Sequence, residues 1–171
     1  MIYSIVKYGD PVLEKPAEPV TEFDTPELHK LIEDMFASMY AAHGVGLAAP
    51  QIGISRRIAV IDTSAGEDPS QKLVLINPEI VINEGRQTTE EGCLSVPGFR
   101  EPVVRPNRVT IRAQNAVGEK FEVTGEGLLA RALMHEIDHL NGRLYISHLS
   151  PLKRDLIRRK IRKLMKAGEW S

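Results

Sequence analysis

The sequence predicts an α+β fold, with small antiparallel or mixed β-sheets packed around a central helix and further helices near the N- and C-termini. Apolar residues recur at helical spacing in three separate stretches. Between the first two, short apolar runs bounded by turn residues mark strands. No repeat or linker divides the 171 residues, so residues 1–171 are expected to form one domain with a substantial core.

The segment up to about residue 23 carries Pro11, Pro16 and Pro19 and should run extended with turns. Asp24 or Thr25 can cap the first helix, Pro26 suits its first turn, and Glu27 complements the helix dipole. Leu28, Leu31, Ile32, Met35, Phe36 and Met39 form its apolar face, His29 falls outside that stripe as a surface residue, and Gly44 ends the helix. Residues 44–51, Gly-Val-Gly-Leu-Ala-Ala-Pro-Gln, match the glycines of a dinucleotide-binding loop, but that loop must follow a strand and open a helix. Here a helix precedes and Pro50 follows, which leaves a loop of small residues where another group can approach the backbone. Gln51 at its end is either a surface amide or part of a site.

Residues 58–61 and 73–76 are continuous apolar runs and so buried strands, separated by a polar surface loop over 64–70. Residues 79–83 and 86–90 suggest further strands around Glu84-Gly85, and 109–113 and 121–123 suggest alternating strands flanking a turn at Gly118. A helix over about 125–140 carries the core stripe Leu129, Leu133, Ile137 and Leu140, with Gly142 as its C-terminal cap. Ser150-Pro151 opens the last helix, whose apolar side is Leu152, Leu156, Ile161, Leu164 and Met165 and whose other side is crowded by Arg158, Arg159, Arg162 and Lys163.

Hydrophobic residues make up 42% and charged residues 26%, an ordinary balance for a globular protein. No apolar run approaches the ~20 residues that cross a bilayer. The first residues lack the basic region and apolar stretch of a secretion signal. A cytoplasmic chain without a membrane partner is expected, and a monomer, since no spare apolar face is evident. The single cysteine, Cys93, cannot form an internal disulfide, which fits a reducing compartment. It is either a small buried hydrophobe or a thiolate that binds metal or attacks a substrate.

The chemistry concentrates in His135-Glu136-Ile137-Asp138-His139. Two histidines four apart share one helix face and can reach one metal ion, with Glu136 beside a water on that ion. The plain alternative is a helix that happens to carry two histidines. A third ligand is needed. Zinc peptidases with this motif place it downstream, but the position for a third histidine is Tyr145, and Glu169 lies at the end of the chain. His148 fits neither pattern and suggests a loop or capping residue. Cys93, 42 positions upstream of His135, remains. Two imidazoles and a thiolate leave an open fourth position for water.

Residues 44–51, Glu91-Gly92-Cys93-Leu94-Ser95 and the histidine motif together resemble, in order, the three motifs of peptide deformylase, and the likeness extends over nearly the whole chain. Met134 departs from the glutamine that many relatives carry, at a position that is not a ligand. The resemblance implies a catalytic domain that removes the formyl group from the N-terminal formyl-methionine of newly made polypeptides. The metal would be held by Cys93, His135 and His139 and activate water. Ferrous iron is implied in the cell, with zinc, nickel or cobalt able to take its place. Glu136 would act as general base and then acid. Gln51 and the Leu94 backbone N–H would donate to the oxyanion, as in the family. Gly44 and Gly46 would let substrate lie against the loop, and Val45, Leu128 and Ala132 would contribute to the methionine pocket.

Arg131 departs from a fully apolar wall; its stem can line the pocket while its head points away. Arg105 and Asp138 are either a pair holding the metal helix against the cysteine segment or a surface ion pair. Residues 151–171 hold eight Lys/Arg against two acids, which is either a solvated helix face or a surface for ribosomal RNA. Rival functions are another metal-dependent amide hydrolase, which would cleave unformylated substrates, and a metal-stabilised ribosome-associated module without catalysis.

Overall fold

The computed structural model describes residues 1–170. Its helices are α1 (Pro26–Ala41), α2 (Leu128–Leu140) and α3 (Pro151–Lys166). Its strands are β1 (Gly46–Ala48), β2 (Ile58–Ile61), β3 (Leu73–Glu84), β4 (Gln87–Cys93), β5 (Val96–Arg105), β6 (Arg108–Gln114) and β7 (Lys120–Glu126). The strands form a five-stranded sheet in the order β1-β2-β3-β6-β7 and a separate hairpin β4-β5. All of these pairings are antiparallel. The α+β expectation holds, with the histidine-bearing α2 at the centre.

The sheet is buried on both faces where β2 crosses it, because two helices cover it. Ala59 and Ile61 pack with Leu133, Ile137 and Leu140 of α2. Ile58 and Val60, pointing the other way in a strand, pack with Met35, Phe36 and Met39 of α1. This is why residues 58–61 are apolar without alternation. The hairpin, a 3₁₀ turn at Tyr145–His148 and α3 close a third cluster around Val96, Val103, Tyr145, Ile157 and Ile161.

Helix α1 starts as expected: the Thr25 side chain accepts from the Leu28 N–H at 3.1 Å, and Pro26 occupies the first turn. His29 is exposed and pairs with Asp24 at 2.7 Å. Elsewhere the structure revises the expected bounds. The small-residue loop is not wholly irregular: residues 46–48 pair with β2 and residues 49–52 form a 3₁₀ turn. Residues 73–76 and 79–83 belong to one strand, interrupted by an irregularity at Asn77, whose φ of +50° breaks the register. The Asn77 side chain compensates by bonding both the N–H and C=O of Val20 at 2.9 Å. The strands flanking Glu84-Gly85 do not pair with each other, since β3 joins β6 and β4 joins β5. Helix α2 begins at residue 128, later than expected, because β7 runs on to Glu126 and Gly127, at φ +57°, makes the corner.

Helix α3 docks through Ile161, as anticipated, and through Ile157, which the anticipated stripe did not include. Leu152 is 70% exposed, and Leu156 and Met165 are also exposed. The N-terminal arm is pinned to the parts it crosses. Val6 N–H donates to the Gln51 carbonyl and Tyr8 N–H to the Ser95 carbonyl, both at 2.8 Å, and Ala17 N–H donates to the Leu140 carbonyl at 2.9 Å.

Gly142 caps α2 at φ +79°, and a Cβ there would lie 2.8 Å from the Lys15 carbonyl carbon. Gly142→Ala should therefore destabilise the protein by at least the roughly 1–2 kcal/mol of left-handed backbone strain, because the clash is with backbone of the N-terminal arm. Denaturant unfolding measures it; an unchanged midpoint would contradict the packing described.

Candidate metal centre and cleft

Helical spacing puts His135 and His139 on one side of α2, with ring centroids 4.9 Å apart and Nε2 atoms 3.2 Å apart. The hairpin brings Cys93, the last residue of β4, to them, with Sγ 3.3 Å from His139 Nε2. The ligand atoms of Cys93, His135 and His139 all lie within 4.8 Å of one another, so the three could hold one metal ion.

The protonation pattern fits a cation. His135 Nδ1 donates to Glu91 Oε1 at 2.6 Å, which leaves the Nε2 lone pair facing the cluster. Burial pushes the Cys93 thiol up, but the facing His139 and His135 imidazoles outweigh it and hold its pKa at about 5. Burial likewise opposes charge on His135, yet Cys93 and Glu91 raise its pKa well above the usual value. The cluster thus favours positive charge between thiolate and imidazoles. Two imidazoles and a thiolate suit a divalent transition metal, with one side left open.

Glu91 is itself held by Arg105 through two bonds, from Nη2 at 2.8 Å and Nε at 3.1 Å. Burial raises the Glu91 pKa, but His135 and Arg105 prevail and hold it at about 2. Arg105 Nη1 also donates to Asp138 Oδ2 at 2.7 Å. Arg105, with 1% of its side chain exposed, therefore ties the hairpin to α2 in the interior. That decides the question left open for Arg105 and Asp138: it is no surface ion pair. His148 is no simple loop residue either, because its Nε2 lies 2.8 Å from Asp138 Oδ2.

Glu136 sits beside the cluster, 4% exposed, with Oε1 lacking a hydrogen-bond partner among the described residues. Burial raises its pKa against the pull of His135 and His139, so it binds a proton more readily than an ordinary carboxylate. A Cβ on Gly46 would lie 2.5 Å from Glu136 Oε2, so a glycine is required there for the carboxylate to fit. The Gln51 amide is oriented by its bonds: Oε1 accepts from the Ala48 N–H at 3.0 Å, and Nε2 donates to Ser95 Oγ at 3.2 Å and faces Cys93 Sγ at 3.6 Å. Leu94 lies in the two-residue turn between β4 and β5.

A cleft of about 590 Å³ opens over these groups. Gly44, Val45 and Gly46 form one wall, Leu128, Arg131 and Ala132 another, and Gln51, Cys93, Leu94, His135 and Glu136 also line it. His139 is fully buried behind them. The residues given catalytic, metal or substrate roles from the sequence thus all line this cleft, apart from His139 just behind it. The sequence reading gave no role to Glu91 or Ser95. A signal existed for Glu91: two residues before Cys93 in a strand, it shares the cysteine's face. For Ser95, in a turn, there was none.

With this geometry in hand, comparison with known proteins is specific. The polypeptide deformylase family model matches residues 2–155. A peptide deformylase of Acidobacterium capsulatum is 64% identical over 170 residues, covering 99% of each chain. One of Cellvibrio japonicus is 49% identical, covering 96% of each. The crystal structure of a peptide deformylase from Legionella pneumophila has a TM-score of 0.90 at 50% identity, covering 100% of this chain and 99% of that one. A plant peptide deformylase structure reaches the same TM-score at 36% identity, covering 98% and 91%. Family model, sequence relatives and solved structures agree, and the chain belongs to the polypeptide deformylase family, metal-dependent enzymes that remove the formyl group from formyl-methionyl peptides.

Proposed function

We propose that residues 1–171 act as one catalytic domain and that the cleft over α2 is where the formyl group is hydrolysed. Cys93, His135 and His139 hold one divalent ion, ferrous in the cell, with zinc, nickel or cobalt able to replace it. When bound, such an ion would lower the pKa of a water in the cleft and so favour its use as nucleophile near neutral pH. Glu136, buried with Oε1 unpaired, is placed to take a proton from the attacking water and to deliver it to the leaving amine nitrogen. Gln51 Nε2 and the Leu94 N–H donate to the formyl oxygen as it gains charge; each such donor is typically worth about 3 kcal/mol of transition-state stabilisation. The methionine side chain lies between Val45, Leu128 and Ala132, and its backbone runs along Gly44 and Gly46.

The observation that carries this reading is Glu136, a buried carboxylate of raised pKa with an unpaired oxygen beside a Cys/His/His cluster. A purely structural metal site has no use for it. Glu136→Gln should keep the metal and lower formate release from a formyl-Met peptide by about 10²–10⁴-fold. Near-normal turnover with metal retained would remove Glu136 from the reaction.

We also propose that the chain works as a cytoplasmic monomer and that α3 touches ribosomal RNA. Among the described residues, no helix is long and apolar enough to cross a membrane. Arg159, Lys160, Arg162, Lys163 and Lys166 are exposed along α3, and phosphate attraction needs no sequence match. Ile157 and Ile161 are buried in the core, so removing α3 would damage the fold. The informative variant replaces Arg159, Arg162 and Lys166 with Gln. It should bind ribosomes more weakly, with a shallower salt dependence, while formyl-peptide turnover stays unchanged. Unaltered ribosome binding would dismiss the contact.

A further inference from the structure

Two arginines line the cleft, and their surroundings differ. Arg100 Nε lies 3.8 Å from Glu90 Oε2. Arg131 has no carboxylate within ion-pair distance among the described residues. Its head makes one long bond, Nη1 donating to the Glu90 carbonyl at 3.4 Å, and its Nε is buried with no acceptor. It sits between Leu128 and Ala132 in the cleft wall, partly exposed. Unsatisfied donors on a half-desolvated guanidinium are costly. Nη2, which has no partner among the described residues and is not buried, remains a charged donor that a carboxylate can accept from. With Arg100 already answered by Glu90, the mouth of the cleft carries one cation without a counter-charge.

Distance suggests what supplies the counter-charge. Arg131 precedes His135 by four residues on α2, about 6 Å of helical rise. An extended peptide covers that length in about two residues. We infer that Arg131 determines specificity beyond the methionine: it favours substrates in which one of the two residues after formyl-methionine carries an acidic side chain. This rests on the proposed seating of the formyl-methionine in the same cleft.

Because the rim is partly exposed, the preference should be modest and screened by salt. The test compares kcat/KM, for the metal-loaded enzyme, on formyl-Met-Asp-Ala, formyl-Met-Ala-Asp and their lysine counterparts. At one of the two positions the acidic peptide should be favoured by about two- to five-fold at low salt, and the ratio should approach one at about 0.5 M salt. Arg131→Gln should bring the ratio to near one, and Arg131→Glu should invert it in favour of lysine. Because ratios are taken within one variant, a general loss of activity does not affect them. A wild-type preference for lysine, or an acidic preference that survives both salt and Arg131→Gln, would overturn the inference. If the variants do not fold, the wild-type salt titration decides alone. Absence of turnover on all four peptides would instead overturn the reading of the cleft on which the inference stands.

Discussion

A single buried guanidinium holds the site together. Arg105 spans Glu91 of the hairpin and Asp138 of α2, with almost none of its surface in water. Such a network adds little net stability, because desolvation offsets the Coulombic gain, but removing one partner strands buried charge at a cost of about 3–5 kcal/mol. What it supplies is geometry. Glu91, fixed by two bonds to Arg105, fixes the His135 ring through Nδ1, and so aims Nε2 at Cys93 and His139. The hairpin that carries Cys93 and the helix that carries His135 and His139, far apart in sequence, are joined there.

The rest of the fold serves the same juxtaposition. The five-stranded sheet gives α2 a flat apolar bed, so one face of the helix is core and the adjoining face is chemistry. Strand β1 runs along the cleft because Gly46 leaves room for Glu136, and the 3₁₀ turn after it presents Gln51. The N-terminal arm then bonds to the backbone at both Gln51 and Ser95, so the two residues whose side chains meet near the cysteine are held from behind by the same strip of chain.

What was legible in the sequence was what local rules govern. The spacing of His135 and His139, the Thr25-Pro26 cap and the apolar runs of β2 and β3 each depend on near neighbours, and each matches the structure. The family motifs supplied the convergence of three distant segments, which no periodicity could have. The misses have a common cause in tertiary choice. The break at Asn77-Pro78 looks like a strand end, but Asn77 finds Val20 across the fold and the strand continues. The α3 pattern offers several apolar faces, and the partner surface selects Ile157 and Ile161. Arg105 and Asp138 could not be judged buried or exposed until the hairpin had a position.

The most direct measurement is formate release by anaerobically purified protein, with its metal counted, on a formyl-Met peptide beside its acetylated and unmodified counterparts. The account predicts a single divalent ion per chain, formate from the formyl peptide alone, and loss of that activity when the ion is chelated. A folded, metal-loaded protein that releases no formate, or that cleaves the unmodified peptide as readily, would contradict it.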